Sequence, residues 1–277
     1  MSEFDFIIVG SMCFLKLHSL AILIELGGPS GALLASRLAS SKAAPSILLL
    51  EAGGKADDLA TRSLATRWIS WVVKPNLNWG YKTVPQKHLR DRILDQSRGK
   101  AFGGTTNINF CIWTTPPKGD LEEWATRIGD EFFGWLNSKL LMESIEAYNT
   151  KQSVSDSARM PGLENYVQIA DGSHGNMGKV TAEFSQIVDK GSASFLNAMA
   201  AYGWQANPDL NSGDPIGHGL IPSFSQNLKY RLTASAAYLT KPPTNLEIRC
   251  LTQVSKVLFE GKRAVGVETT EGHGEFT

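Results

Sequence analysis

The chain has 277 residues, enough to bury a sizeable core in one large or two modest domains. Its 27 basic residues balance its 27 acidic residues, so its charge indicates neither a nucleic acid nor an anionic membrane as partner. The 3 cysteines are widely spaced and form no C-x-x-C pair, which argues against a disulfide framework or a zinc site.

The N-terminus does not resemble a targeting segment. Residues 1–5 are acidic and lead directly into an apolar run, unlike a signal peptide. The segment from Ser11 to Leu26 is too short and too interrupted by charge for a membrane span. We therefore expect a soluble, cytoplasmic protein by default, and a secreted one only if the start codon is misassigned.

An apolar strand, a glycine-rich turn and an amphipathic helix occur near the start, in two pieces. Asp5–Gly10 and Gly27–Leu38, joined directly, read DFIIVG-GGPSGALLASRL. The joined sequence has the pattern G-x-G-x-x-G at Gly10, Gly28 and Gly31, where glycines allow a tight turn, close approach to a pyrophosphate and close helix packing. N–H groups and the dipole at the helix N-terminus favour the phosphates. The pattern predicts dinucleotide binding.

The second part of this fingerprint is a carboxylate after the next strand. Residues 46–51 form an apolar run ending in Glu51, about twenty residues after the last glycine of the turn. A carboxylate in this place binds the hydroxyl pair of a ribose. The strand, turn, helix and acid together are more specific than the glycines alone, which often mark structural turns.

The segment from Ser11 to Leu26 interrupts the turn. Its run Ala21–Leu26 competes as the first strand, and in that register Leu26 replaces the first glycine. Closing a longer loop costs on the order of 1–2 kcal/mol, so lost geometry at the phosphate site is the larger effect. One explanation is an in-frame unspliced intron, because Ser-Met-Cys can be encoded by a splice-donor-like string. The other is a genuine lineage-specific loop.

A second glycine-rich segment, Arg98–Asn109, contains Gly-Gly-Thr-Thr. Its backbone N–H groups and small hydroxyls can approach a ligand closely, although dense glycines also mark ordinary bends. The preceding nucleotide fingerprint favours a ligand here. His174 lies in the turn-rich stretch 171–178, has no local partner, and is interpreted as a loop histidine rather than a catalytic base.

Apolar spacing predicts the remaining elements. Helices are expected within residues 120–124, 136–148, 195–204 and 231–239, an irregular loop at 207–219, and β-structure at 245–257.

Taken together, the chain resembles the glucose-methanol-choline (GMC) oxidoreductase family of FAD enzymes. The resemblance covers essentially the whole chain outside the insert, with the motifs in the family's order. These motifs are DFIIVG…GGPSGALLASRLA, ILLLEAGG, NWGYKTVPQ, RGKAFGGTTNINFCIW, DLEEWA, NPDLNSGDPIGHG, YRLTASAAYL and NLEIRCLTQVSKVLFEGKRAVGVE.

The resemblance implies an α/β fold: a Rossmann-like FAD-binding domain built from discontinuous segments, plus part of an antiparallel-sheet substrate domain. Residues 1–170 would form the FAD-binding domain with the insert at 11–26. Residues 171–240 would belong to the substrate domain, and residues 241–277 would return to the FAD-binding domain.

The resemblance also implies the cofactor contacts. Gly10, Gly28 and Gly31 would line the pyrophosphate, and Glu51 would hold the adenosine ribose. Arg98, Gly103, Gly104, Thr105 and Asn109 would lie beside the flavin, and the backbone of Val254 would meet the adenine. Two departures stand out: Phe102 replaces a smaller aliphatic and is expected to crowd the flavin side, and Thr115 replaces a common arginine.

The implied function is FAD-dependent oxidation of a CH–OH group of a small-molecule alcohol, by hydride transfer to flavin. The family's catalytic residues, including a histidine that removes the proton, lie in a C-terminal half beyond Thr277, so no catalytic residue is assigned. We expect weak or no FAD binding and no turnover.

Alternatively, the chain is a non-catalytic fragment or a faulty gene model. An NAD-dependent dehydrogenase would explain only the fingerprint. Substrate, electron acceptor and oligomeric state remain open.

Overall fold

The computed structural model describes residues 4–10, 28–56, 58–69, 75–149, 166–167, 169, 172–184, 190–270 and 275–276. The segment from Ser11 to Leu26 lies outside these residues. The chain forms two compact units: the first contains Met1–Phe110 and Arg231–Thr277, and the second contains Cys111–Tyr230. The predicted domain limits, at residues 170 and 240, differ from the limits of these compact units. The predicted domains stay a prediction.

The strands and helices are numbered in chain order. The strands are β1 (Phe6–Gly10), β2 (Ile47–Glu51), β3 (Tyr81–Lys82), β4 (Asp95–Gln96), β5 (Glu146–Asn149), β6 (Val180–Glu183), β7 (Ser223–Gln226), β8 (Tyr230–Arg231), β9 (Leu246–Arg249), β10 (Val254–Glu260), β11 (Arg263–Thr269) and β12 (Glu275–Phe276). The helices are α1 (Pro29–Ala39), α2 (Leu59–Arg62), α3 (Lys118–Ile128), α4 (Trp135–Glu143), α5 (Lys190–Ala201) and α6 (Ala234–Tyr238). None of these described helices is both long and apolar enough to cross a membrane.

A three-stranded parallel sheet, in the order β1-β2-β9, forms the centre of the first unit. The third strand joins from almost 200 residues further along the chain, since Ile47 is paired with Leu246. The predicted Rossmann-like assembly from discontinuous segments is therefore confirmed.

Both faces of this sheet are covered, which explains the uninterrupted apolar sequence of its strands. Side chains alternate between faces along a strand, so Ile8 and Leu49 enter one hydrophobic cluster while Val9 and Leu50 enter another. On the first face the small residues of α1 allow close packing. On the second face the cluster includes Val267 of β11.

An antiparallel hairpin completes the first unit near its C-terminus. β10 and β11 pair through most of their length, and β12 adds to β11. Gly261, at the turn of the hairpin, has a φ of 62°, which glycine adopts without steric cost. A second, short antiparallel pair joins β3 to β4.

The second unit contains α3, α4, α5 and a mixed sheet. β5 pairs with β6 in parallel, and β6 pairs with β7 antiparallel. α3 ends at Gly129, whose φ of 71° gives the left-handed cap that glycine favours.

The predicted helices at 120–124, 195–204 and 231–239 overlap α3, α5 and α6, and residues 207–219 are irregular. The prediction at 136–148 was wrong at its end. α4 stops at Glu143, and Glu146–Asn149 form β5 because they pair with β6, a partner that local spacing cannot reveal.

Candidate functional site: the edge of the parallel sheet

The register of the parallel sheet places two predicted site residues side by side. Gly10 ends β1 and is the Cα partner of Glu51, which ends β2. Because the strands are parallel, their carboxyl ends lie at one edge of the sheet. Open α/β sheets bind ligands at this edge.

The first turn of α1 has the character expected of a phosphate site. Gly28 is the N-cap in extended conformation, and Pro29 occupies the start of the helix, where its missing N–H costs nothing. Within the described part of the chain, no side chain caps this end, and Pro29 and Ser30 are exposed. Gly31 is buried in the helix. The open N-terminus and its dipole favour an anion.

Glu51 is a buried carboxylate, with only 4% of its surface exposed. Burial raises its pKa to about 7, although a hydrogen bond from the Gly53 N–H and the charge of Lys100 act in the opposite direction. The Gly53 N–H donates to Oε1 over 2.8 Å. The carboxylate is therefore fixed in place at the strand end, as binding of ribose hydroxyls requires.

The second glycine-rich segment forms a tight turn, here called the glycine turn (residues 102–109). Gly103 and Gly104 have φ of 102° and 57°, in the left-handed region. Asn107 is buried inside the turn, and its Nδ2 donates to the carbonyls of Phe102 and Gly104, each over 3.0 Å. These bonds fix the backbone that carries the predicted flavin contacts.

The glycine turn lies directly against the N-terminus of α1. A Cβ added to Gly104 would lie 2.5 Å from the Cα of Gly28, so the two backbones meet without space for a side chain. The predicted pyrophosphate motif and the predicted flavin motif therefore form one surface.

Thr105 joins the glycine turn to the segment before it, because its Oγ1 accepts the Gly99 N–H over 3.0 Å. Arg98 is exposed, and its guanidinium donates to the Ser97 carbonyl over 2.7 Å. The Thr105 hydroxyl therefore holds neighbouring backbone in place, and the Arg98 side chain lies at the surface.

Asn109 ends the glycine turn and is half-buried. Its N–H donates to the Thr105 carbonyl over 3.0 Å. Its own carbonyl and Oδ1 accept hydrogen bonds from Arg231 over 2.9 and 3.2 Å. Arg231 was not among the predicted site residues, because no local feature of the sequence connects it to Asn109.

Val254 begins β10 and packs, half-buried, against the hydrophobic cluster on the second face of the sheet. Shortly before it, the Thr252 N–H donates to the Glu51 carbonyl over 3.0 Å. The loop that leads into β10 therefore contacts the backbone of the residue predicted to hold the ribose.

A family model described as GMC oxidoreductase matches residues 20–277. The chain belongs to the GMC oxidoreductase family. The resemblance read from the motifs is thereby confirmed, and FAD is the cofactor that membership of the family assigns to the chain.

Among curated GMC relatives, the oxygen-dependent choline dehydrogenase of Pectobacterium atrosepticum is 28% identical over 99% of this chain and 44% of its own length. The alcohol dehydrogenase [acceptor] of Pseudomonas putida is 29% identical over 95% of this chain and 42% of its own length. The chain thus spans less than half the length of these relatives.

Two solved structures show the same fold. Pyridoxine 4-oxidase from Mesorbium loti is similar with a TM-score of 0.79 and 24% identity, over 99% of this chain and 47% of that one. An FAD-dependent oxidoreductase from Chaetomium thermophilum is similar with a TM-score of 0.78 and 24% identity, over 99% of this chain and 43% of that one.

The described residues fit FAD in chemical character. The uncapped N-terminus of α1 suits a pyrophosphate, and the buried Glu51 carboxylate suits ribose hydroxyls. Gly28 and Gly104 meet through their backbones, so neither residue adds a side chain to this surface. The individual FAD contacts remain predictions.

Phe102 has a different environment from the one expected. It is 9% exposed and belongs to the hydrophobic cluster formed by α1 and the first face of the sheet. Its ring therefore contributes to the core of the first unit. Thr115, in the second unit, uses its N–H and Oγ1 to donate to Asn211 Oδ1 and the Asn211 carbonyl.

His174, in the second unit, has two carboxylate partners. Its Nδ1 lies 2.9 Å from Glu146 Oε1, and its Nε2 lies 3.0 Å from Asp209 Oδ2. The ring also stacks on Tyr148, with 3.8 Å between centroids. Burial lowers the pKa of His174, but the hydrogen bonds to Asp209 and Glu146 outweigh burial and raise it to about 9. The imidazolium therefore links its loop to the two carboxylates in a buried ion pair.

Proposed function

We propose that this chain supplies the FAD-binding part of an enzyme that oxidises the CH–OH group of a small alcohol. The observation that carries the proposal is the pairing of Gly10 with the buried Glu51 at the sheet edge that follows the fingerprint. The names of the curated relatives support choline or another alcohol as substrate.

In this proposal the first turn of α1 binds the pyrophosphate, Glu51 binds the adenosine ribose, and the glycine turn lies beside the flavin. When bound, FAD supplies the acceptor for the hydride removed from the alcohol. The residues of this chain bind and orient the cofactor. No residue of this chain is assigned to proton removal, because the resemblance gives that role to a histidine of the family's C-terminal half.

We further propose that residues 1–277 alone bind FAD weakly or not at all and do not turn over alcohol. The decisive experiment adds FAD to the purified chain, removes free cofactor by gel filtration and records the visible spectrum. Choline or a primary alcohol is then added without oxygen. We expect at most partial FAD retention and no bleaching of the flavin band.

Each other outcome has a defined meaning. Bleaching by alcohol would contradict inactivity and would support a working oxidoreductase. In a parallel loading with NAD, tight retention of NAD but not of FAD would contradict the flavin proposal. Sequencing the full-length transcript across codons 11–26 and past codon 277 would test the alternative of a faulty gene model, which requires a message different from the printed chain.

A further inference from the structure

The segment Arg231–Ser235 belongs to the motif YRLTASAAYL, to which the cofactor assignments give no role. It leads from β8 into α6 and lies in the first unit, together with the glycine turn. Arg231 is the largest side chain that is fully buried among the described residues, with 0% exposure. Burying a guanidinium is costly unless its N–H groups are hydrogen-bonded, so its contacts define what it does.

Arg231 joins two segments that are distant in sequence. Its Nε donates to the Thr61 carbonyl over 3.0 Å. Its Nη1 donates to the Thr106 carbonyl over 3.0 Å, and to the carbonyl and Oδ1 of Asn109 over 2.9 and 3.2 Å. The planar guanidinium presents its N–H groups in a fixed fork, so these acceptors must keep a fixed arrangement.

The residues after Arg231 hold the other end of the glycine turn. The Ala234 N–H donates to Thr106 Oγ1 over 3.0 Å, and Ser235 Oγ donates to the Phe102 carbonyl over 3.2 Å. A Cβ added to Gly103 would lie 2.9 Å from Ser235 Oγ and 3.4 Å from the Ser235 backbone nitrogen, so Gly103 packs closely against Ser235. Thr233 caps α6 by accepting the Ala236 N–H, which fixes the direction of the segment.

We propose that Arg231 is a positioning residue for FAD: with Ser235, it holds the glycine turn in its binding conformation before the cofactor arrives. This inference rests on the proposed function, because it is the FAD role of the turn that gives the positioning its purpose. Without Arg231, four acceptors lose their donor. The glycine turn would then become ordered only when FAD binds, and the entropy lost in that ordering would weaken FAD binding.

The experiment compares the unmodified chain with Arg231→Met, Arg231→Lys and Ser235→Ala. Arg263→Met, at an exposed arginine of β11, is the matched control. Hydrogen exchange is measured without FAD on peptides that cover residues 102–109 and on peptides from β2 and β9. The dissociation constant for FAD is measured by quenching of flavin fluorescence.

In Arg231→Met we expect faster exchange at residues 102–109, unchanged exchange in β2 and β9, and FAD affinity weakened about tenfold or more. Lys should restore part of the affinity, because it keeps a donor but lacks the fork. Ser235→Ala should weaken affinity about two- to fivefold. Arg263→Met should change neither quantity.

Unchanged exchange at residues 102–109 would overturn the proposal, and so would an equal rise throughout the first unit, which would mean a merely structural role. If Arg231→Met does not fold, Arg231→Lys and Ser235→Ala decide by the same criteria. If the unmodified chain binds no FAD, the proposed function still stands, because it expects weak or no binding by residues 1–277 alone. Local exchange alone then decides whether Arg231 positions the turn.

Discussion

The carboxylate of Glu51 has opposite effects on stability and on the proposed cofactor binding. Its pKa is raised from 4.5 to about 7 in the folded chain, chiefly by burial. Between these two values the folded state binds the proton more tightly than the unfolded state, so stability falls as the pH rises through this range. At higher pH the folded chain carries a buried anion, which the Gly53 N–H and the charge of Lys100 compensate only in part. In the proposed complex this anion would also accept hydrogen bonds from ribose hydroxyls.

We predict that Glu51→Gln stabilises the chain without FAD at pH 8 and changes little below pH 5. The amide removes the buried charge, whose cost is on the order of 3 kcal/mol from the pKa shift. FAD affinity should fall about tenfold, because a neutral amide is a weaker acceptor for ribose hydroxyls. Urea unfolding at both pH values and FAD titration measure these effects.

The control is Glu260→Gln, which changes an exposed carboxylate of β10. It should leave both the pH dependence of unfolding and the FAD affinity as they are. Equal pH dependence in the unmodified chain and in Glu51→Gln would show that the carboxylate does not titrate in this range.

The place of a single residue in the fold was predictable when it depends on local sequence, although the ribose role of Glu51 stays a prediction. Glu51 follows an apolar strand at a fixed distance from the glycines, and both features are visible in the sequence. His174 and Arg231 were not, because their partners lie far along the chain: Glu146 is 28 residues from His174, and Thr61 is 170 residues from Arg231. Only the folded topology reveals such pairs.

Between elements, the decisive contact is the one that joins the N-terminus of α1 to the glycine turn. Gly104 has a φ of 57° and leaves no space for a Cβ against Gly28. Gly80 has a similar φ of 67°, but nothing lies within 4 Å of an added Cβ. A side chain at Gly80 would therefore cost only backbone strain, whereas a side chain at Gly104 would cost the same strain and also collide with Gly28.

We predict that Gly104→Ala destabilises the chain more than Gly80→Ala and alone weakens FAD binding. Both changes incur about 1–2 kcal/mol for a left-handed alanine, and Gly104→Ala must also push α1 and the glycine turn apart. Thermal unfolding and FAD titration of the two variants test this difference. Equal losses of stability and affinity would mean that the contact with Gly28 has no special importance.

Whole elements were predictable where their pattern is strong. β2 is apolar throughout because both of its faces are covered, and the helix after the glycines begins with proline and carries a face of small residues. β5 was missed, since its strand character depends on pairing with β6. The mixed pairing of that sheet is likewise a property of topology, and no local pattern encodes it.

At the scale of the whole molecule, two stretches compete to begin the fold. The family model matches from residue 20, which includes the apolar run Ala21–Leu26, whereas the strand that pairs with β2 is Phe6–Gly10. In the observed register Ile7, Ile8 and Val9 are at most 3% exposed. Full burial of each such side chain contributes about 1.5–3 kcal/mol, so the choice of strand decides whether the first unit is stable.

We predict that deletion of residues 11–26 keeps the fold and strengthens FAD binding about tenfold or more, because Gly10 then adjoins Gly27 and the backbone can approach the pyrophosphate. Deletion of residues 2–19 should unfold the first unit, because it removes β1. Far-ultraviolet circular dichroism and FAD titration compare the two variants with the full chain. If the second deletion folds and binds FAD while the first does not, Ala21–Leu26 is the true first strand, and the fingerprint lacks its first glycine.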